Sequence, residues 1–474
     1  MFLADIGDKL KRPEFRRLAA HSAVLAAVLV LAISPPAPAQ DSHYWTLTYG
    51  ARASLLGGAV VGSAVDLSAT YYNPGALPLI EDIEVVMTSL VLQYPNVWMR
   101  DIAGTRRGIK SSNLSAAPAV VAGMFRVNWH GQSRVGYSVL SRQRVRLDFY
   151  GNIVADEYDL PDTFNLKSFT GNLHLNEEIS ETWVGLCWAR SFSTGIAFGL
   201  TAYGTFRHHD AASGVDTEAL SDENELALAR NSQFYSYSDY GLLLKMGISF
   251  AYGGVSWGLT LTTPDVSVYS DAKVGRNTTV ANYDIDGAGG TDTYLAADYQ
   301  DGLKADYKMP LSLGLGFSYQ WWRTSVNISA EYFSPVGRYA VIDAADFVGQ
   351  THGDTLSSAI INGAQSVLNF AIGLEQAVSE DVKVYTSFYT DFSASQDGPP
   401  VNYSISDWDI YNVMLGSTFR IHKSKFTLGA GLGWGSKVEG TGEPIEIGVD
   451  DGTLLIRQAA FEYRMYKFVL GFSF

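Results

Sequence analysis

The sequence predicts an all-β fold: a 14-stranded antiparallel transmembrane β-barrel with an N-terminal hatch, or plug, inside its lumen. Three observations carry that expectation. Bulky apolar side chains recur at every second position through many segments. The connections between those segments are alternately short and long, and one apolar stretch ahead of the first segment does not alternate at all. Successive strand side chains point to opposite faces, so strict alternation describes a strand with one greasy and one small or polar wall.

The chain opens with Lys9, Lys11, Arg12, Arg16 and Arg17, then an apolar run from Ala23 to Ile33 and an Ala37-Pro38-Ala39 site. A basic region, an apolar core of this length and a small-x-small ending describe a secretory signal peptide over 1–39, cleaved after Ala39. The whole chain carries a net charge of −15, and cleavage would make it more acidic still. An acidic exported protein is a poor nucleic-acid binder, so no nucleic-acid partner is expected. Cys187 is the single cysteine and cannot close an internal disulfide. After residue 39 no run of about 18 apolar residues exists to cross a bilayer as a helix, yet aromatic residues make up 13% of the chain and glycine numbers 46.

Residues 40–79 form the expected hatch, a compact apolar plug that escapes water by lodging in the barrel. Within it, Asp66 is placed to cap a short helical turn, and Pro74 forces Asn73 out of helical geometry. Residues 80–474 form the expected barrel, with strands at approximately 84–95, 116–128, 134–148, 180–193, 194–207, 234–251, 253–266, 306–320, 323–334, 365–377, 381–393, 408–421, 424–437 and 459–474. Segment 311–319 sets Leu311, Leu313, Leu315, Phe317 and Tyr319 against Ser312, Gly314, Gly316 and Ser318. The final strand sets Tyr466, Phe468, Leu470, Phe472 and Phe474 against Lys467, Gly471 and Ser473. A soluble sandwich would fill its polar face with Lys, Glu and Thr; glycine and serine suit a crowded lumen, where they either leave free space or admit the plug.

Connections after even-numbered strands are a few residues long, as at Trp321-Trp322 and Ser379-Glu380. Those after odd-numbered strands are long, notably 267–305, 149–179, 208–233 and 335–364. This is the polarity of outer-membrane barrels, with short turns in the periplasm. Trp129, Tyr252, Trp321 and Trp322 then fall where a periplasmic aromatic girdle belongs. The expected localisation is the bacterial outer membrane. The expected partners there are membrane lipid, lipopolysaccharide and the barrel-assembly machinery, the last through Phe474, and a monomer is expected.

The hatch run Gly50-Ala51-Arg52, Gly57-Gly58-Ala59, Asp66, Ser68-Ala69, Tyr71-Tyr72 and Asn73-Pro74-Gly75 resembles the N-terminal hatch of FadL-type transporters, the family of long-chain fatty-acid and aromatic-hydrocarbon channels. One departure is visible: Gly75-Ala76 stands where that family usually reads Ala-Gly. The resemblance implies passive uptake of hydrophobic small molecules, with a lateral exit where the third strand kinks inward. A structural role as a scaffold subunit of a secretion or assembly complex is the alternative that the same architecture serves. No cofactor and no enzyme activity are implied.

In strand 3, Val135, Tyr137, Val139, Val145 and Leu147 share an outward phase that the polar pair Ser141 and Gln143 interrupts, which marks either a bend or opening there or a strand that has already passed above the membrane. The opposite phase carries Arg142, Arg144 and Arg146, three guanidinium groups that either pair with loop Asp and Glu as ordinary lumen charges, the plainer reading, or hold a carboxylate head group. Asp284 to Asp292 offers oxygen ligands and glycines, but Gly287 breaks the EF-hand spacing and no metal is expected. His208, His209 and Asp210, with Asp407 and Asp409, could imitate a protease constellation only by converging within hydrogen-bond reach.

Overall fold

A computed structural model describes residues 42–63, 66–80, 86–100, 109–129, 133–156, 166–193, 195–221, 224–283, 292–396, 408–422, 424–437, 449–450, 453–454 and 460–473. The signal region, Asp407, Phe474 and most of the Asp284–Asp292 run lie outside these residues. Among the described residues fourteen strands form the wall. The first seven are β1 (Val86–Arg100), β2 (Ser115–Trp129), β3 (Ser133–Asp156), β4 (Leu166–Ser193), β5 (Ile196–Ser221), β6 (Leu226–Tyr252) and β7 (Val255–Thr262). The second seven are β8 (Ser312–Trp321), β9 (Thr324–Phe333), β10 (Val367–Ala377), β11 (Val382–Asp391), β12 (Ile410–Ile421), β13 (Ser424–Lys437) and β14 (Ala460–Ser473).

Each strand pairs antiparallel with the next, and β14 pairs with β1 from Met87↔Ser473 to Arg100↔Ala460, which closes the ring. Closure removes the sheet edges that hydrocarbon cannot hydrate. The outer wall is greasy: Leu313, Leu315, Leu368, Leu428, Leu470 and Phe472 are exposed, while the small or polar residues Ser312, Gly314, Asn369, Thr427 and Lys467 on the other phase are buried. A belt of this kind faces lipid. Tyr252, Trp321 and Trp322 stand exposed at the short-turn end, in line with the expected girdle.

Two of the expected long loops are strands instead. Alternation does not stop at residues 149 and 208; β3 to β6 run to 24, 28, 26 and 27 residues. At about 3.3 Å per residue, 28 residues span roughly 90 Å, whereas a tilted membrane strand needs only about 9–11 residues. The excess forms a wall beyond the membrane. The 267–305 loop joins it as an antiparallel pair, Val266–Tyr283 with Asp292–Leu303, docked on the upper part of β6. Once strands are paired, each further alternating residue adds to the ladder, so polarity alone did not mark where they end.

The hatch fills the lower lumen with α1 (Ala51–Leu55), α2 (Ala69–Tyr72) and a 3-10 turn, Pro74–Leu79. Leu55, Leu56, Val60, Leu67 and Leu77 are buried against the inner wall. Asp66 Oδ1 accepts hydrogen bonds from the Ser68 amide and hydroxyl and so sets the entry to α2, as its sequence position predicts. Asn73 is extended and fully buried; its Nδ2 donates to the carbonyls of Val61 (2.9 Å) and Ile248 (3.0 Å), and its Oδ1 accepts from the Gly75 amide. One side chain therefore ties two hatch segments to β6.

Several lumen glycines admit the plug, while others, such as Gly314 and Gly431, are filled by the side chains of neighbouring strands. A Cβ at Gly258 would collide with the Val61 carbonyl, at Gly316 with Gly62, and at Gly247 with Asn73. In the hatch, Gly75 approaches the Gly247 carbonyl closely enough to exclude a Cβ, which accounts for glycine at the position where the resembling family has alanine. Gly57 and Gly58 have φ of +62° and +81°, a left-handed pair that turns the chain after α1. Gly258→Val is expected to destabilise the seated hatch by about 1–3 kcal/mol through overpacking against backbone. Limited proteolysis should then cut residues 50–79 faster than in wild type while the barrel keeps its heat-modifiable mobility on gels.

Candidate functional site

Above the hatch, residues 42–49 cross the lumen as an extended strap whose polar backbone is met by wall side chains. Asp391, buried in β11, accepts the amides of Tyr44 (3.1 Å) and Trp45 (2.8 Å) on Oδ1 and the Thr46 hydroxyl on Oδ2. Gln93 and Lys467 donate to the Thr46 carbonyl, Gln143 donates to the His43 carbonyl (3.1 Å), and Trp45 Nε1 donates to Glu331 (2.8 Å). His43 Nε2 meets the Trp408 carbonyl at 2.8 Å.

Two apolar patches flank this strap. One gathers Val97, Leu147, Phe149, Trp408, Ile410, Tyr463 and Met465 on the inner wall toward the long-loop end, with Trp408 stacked on Tyr463 at 5.5 Å between centroids. Beneath it, Tyr49, Tyr71, Tyr72, Trp183 and Tyr203 form a continuous aromatic cluster where hatch meets wall.

The wall changes character beside these patches. The ladder between β2 and β3 runs from Trp129↔Ser133 to Val120↔Leu140 and has no pairs beyond Leu140. Further up, β2 stays paired with β1, and β3 stays paired with β4. The β3–β4 register itself slips, from Ser141↔Thr182 to Gln143↔Glu181, so Arg142 is the extra residue of a bulge. The polar pair Ser141 and Gln143 thus brackets a real distortion.

That bulge corrects the expected arginine row. One inserted residue exchanges the two faces of everything after it. Arg142 and Gln143 are both buried, Arg144 and Arg146 are exposed, and Leu147 and Phe149 turn into the lumen. Leu147 and Val145 belong to the inner apolar patch, not to the lipid face. Of the three guanidinium groups only Arg142 faces inward. It lies 5.5 Å from the Trp183 ring centroid, its carbonyl accepts the Tyr49 hydroxyl (3.3 Å), and its Nε has no hydrogen-bond partner.

Sequence reading missed the polar row that the bulge completes. Gln143, Glu181 and Arg207 are register partners on β3, β4 and β5; Arg207 Nη1 donates to Glu181 at 2.6 Å and to Gln143 at 2.7 Å. Arg207 also lies 3.9 Å from the Tyr307 ring centroid, and Lys245 lies 4.4 Å from Tyr71 and 3.8 Å from Glu331. Charged residues on the glycine-rich phase of strands 4 and 5 were the available signal, but their alignment depends on register.

The histidine motif is divided by the wall. His208 faces outward with Asp210 at 2.9 Å, while His209 is fully buried against Glu177 (3.2 Å) and Tyr235. Asp409 accepts the Ser393 amide in a different part of the barrel. These groups do not converge. Among the described residues no cluster of His, Cys, Asp and Glu is arranged to hold a metal ion.

Asp391 serves three donors of the strap, so Asp391→Ala should leave buried amides unmet at a cost of about 1–3 kcal/mol. A spin label at residue 42 is expected to become mobile in that variant and to stay immobilised in wild type.

No family model and no curated protein matches the sequence. Solved structures do match. A FadL homologue from Pseudomonas aeruginosa aligns at TM-score 0.56 and 12% identity, covering 91% of this chain and 98% of that one. The Pseudomonas putida toluene transporter TodX aligns at TM-score 0.56 and 12% identity, and the Ralstonia pickettii toluene transporter TbuX at 0.53 and 12%; each alignment covers 90% of this chain and 98% of the other. Pairing, hatch and overlay agree that the chain has the fold of the FadL-type channels, a membrane-spanning barrel closed by an internal N-terminal hatch.

Proposed function

We propose that this protein passes hydrophobic small molecules across the outer membrane, taking them in at the long-loop end and releasing them sideways between β2 and β3. The observation that carries the reading is the coincidence of a sealed lower lumen with an interrupted ladder. The hatch packs against wall glycines below, while the β2–β3 pairing stops at Leu140 beside the aromatic cluster. An apolar solute gains nothing from a wet, straight pore and is favoured along an apolar lining that ends in lipid. The solved channels of this fold named for toluene and monoaromatic hydrocarbons support the same cargo class.

Deleting Arg142 removes the bulge and restores one continuous register to β3 and β4. Accumulation of radiolabelled toluene or oleate by cells carrying this variant is expected to fall to the level of cells lacking the barrel, with the protein still folded in the membrane. Undiminished accumulation would overturn the lateral route. Release of a tightly held partner protein, rather than a lipid, on purification in mild detergent would favour the scaffold alternative.

The head-group role expected of the arginine row narrows to Arg142. A charge-assisted hydrogen bond contributes about 1.5–3 kcal/mol, so Arg142→Gln should weaken oleate binding by about ten- to a hundredfold and leave toluene binding nearly unchanged. Equal effects on both ligands would assign Arg142 to packing alone.

A further inference from the structure

The residues that the bulge turns outward have no part in the lumen, yet they do not stand alone. Just above the lipid-facing belt, the outer wall runs from β14 across β1 and the short strand Ile109–Ser112 to the upper half of β3. Arg464, Lys110, Arg144 and Arg146 are all exposed on this face. The register joins them: Asn96 pairs with both Arg464 and Ser112, Trp98 pairs with Lys110, and Asn113 Nδ2 donates to the Arg146 carbonyl at 3.1 Å. Lys110 Nζ and the Arg464 guanidinium lie 5.0 Å and 5.7 Å from the Trp98 ring centroid, which holds both cations on the outer surface. None of the four cations has an ion-pair partner among the described residues.

The height of this strip is set by the belt beneath it. Tyr94, Tyr466 and Val139 are exposed at the upper edge of the apolar wall, with Trp434 level with Arg464, and Arg464 follows Tyr466 by one outward position. Of the acidic neighbours Asp148 is two residues above Arg146, Glu462 is level with Lys110 through their shared partner Trp98, and Glu178 is opposite Arg146, whereas Arg144 is opposite Ser180; the cations outnumber the acids at this height. In a chain of net charge −15, a row of cations at the lipid boundary runs against the overall field.

We propose that this strip binds a phosphorylated glycolipid of the outer leaflet. Arg464 and Arg146 are three strand spacings apart, about 14 Å, a span that a disaccharide with a phosphate at each end can bridge. Guanidinium groups grip phosphate oxygens in two-pronged geometry, and the acyl chains would lie along the belt over Tyr94, Tyr466 and Val139. The same lipid would sit at the outer lip of the β2–β3 gap. The proposal rests on the long-loop end facing outward and not on any transport step.

Native mass spectrometry of the detergent-purified barrel titrated with diphosphoryl lipid A tests it. Wild type is expected to hold one lipid A. R464Q/K110Q/R144Q/R146Q should bind it about a hundredfold more weakly, while K273Q/K304Q, two charges removed from the wall elsewhere, should leave it unchanged. Monophosphoryl lipid A should bind wild type more weakly than the diphosphoryl form. Retention of lipid A by the quadruple variant, or equal loss in the control, would overturn the proposal; if the quadruple variant does not fold, R144Q/R146Q and R464Q/K110Q are compared instead. Toluene binding measured on the same samples separates a failed lipid site from a failed passage.

Discussion

The architecture depends on backbone-to-backbone contact between hatch and wall. Where hatch backbone comes closest to wall backbone the wall presents glycine, with Val61 against Gly258, Gly62 against Gly316 and Pro74 against Gly199, and the Leu55 side chain fills the space over Gly429. A Cβ at any of these positions would clash with the hatch, so one of the two would have to shift. With glycine there, apolar hatch residues reach the wall and bury themselves at near-interior density. The seal is therefore built from absences on the wall and from a few fixed polar ties, of which Asn73 is the most central.

A second constraint acts through counting. Arg142 is one residue too many for the β3–β4 ladder, and everything above it exchanges faces. The single insertion brings Gln143 into line with Glu181 and Arg207, turns Leu147 and Phe149 into the apolar lumen patch and moves Arg144 and Arg146 to the outside. Lumen chemistry and outer-surface chemistry are thus linked by one backbone irregularity. Because the β2–β3 ladder stops at the same height, the wall is weakest where its two faces are being exchanged.

The upper wall gives the lumen its depth. β3 to β6 continue far beyond the length a bilayer requires, and the pair Val266–Tyr283 and Asp292–Leu303 extends them sideways. The inner side of this wall is covered by Val341, Ile342 and Ile360, so it is a packed layer with its own core. Its free edge is also covered: the Gln350 side chain bonds both the amide and carbonyl of Ala297, taking the place of a neighbouring strand.

The class of fold, the order of the wall strands, the side on which turns are short and the presence of a plug from Tyr49 to Leu77 were all legible in the amino-acid sequence. These are local properties: period-two alternation in Leu311 to Tyr319, turn length at Trp321-Trp322, and the apolar, non-alternating run that begins at Tyr49 can each be read without knowing a neighbour. The sequence also marked Ser141 and Gln143 as an anomaly, because polar groups on a lipid stripe are costly wherever they fall. Folding in three dimensions sets which way Arg144, Arg146 and Leu147 face, that Glu181 and Arg207 meet Gln143, and that wall glycines such as Gly258 and Gly316 seat the plug instead of leaving empty space. Those facts depend on register between strands and on distances between residues far apart in the chain, and the β3–β4 bulge reorients Arg144, Arg146 and Leu147 and aligns Gln143 without changing a single residue type.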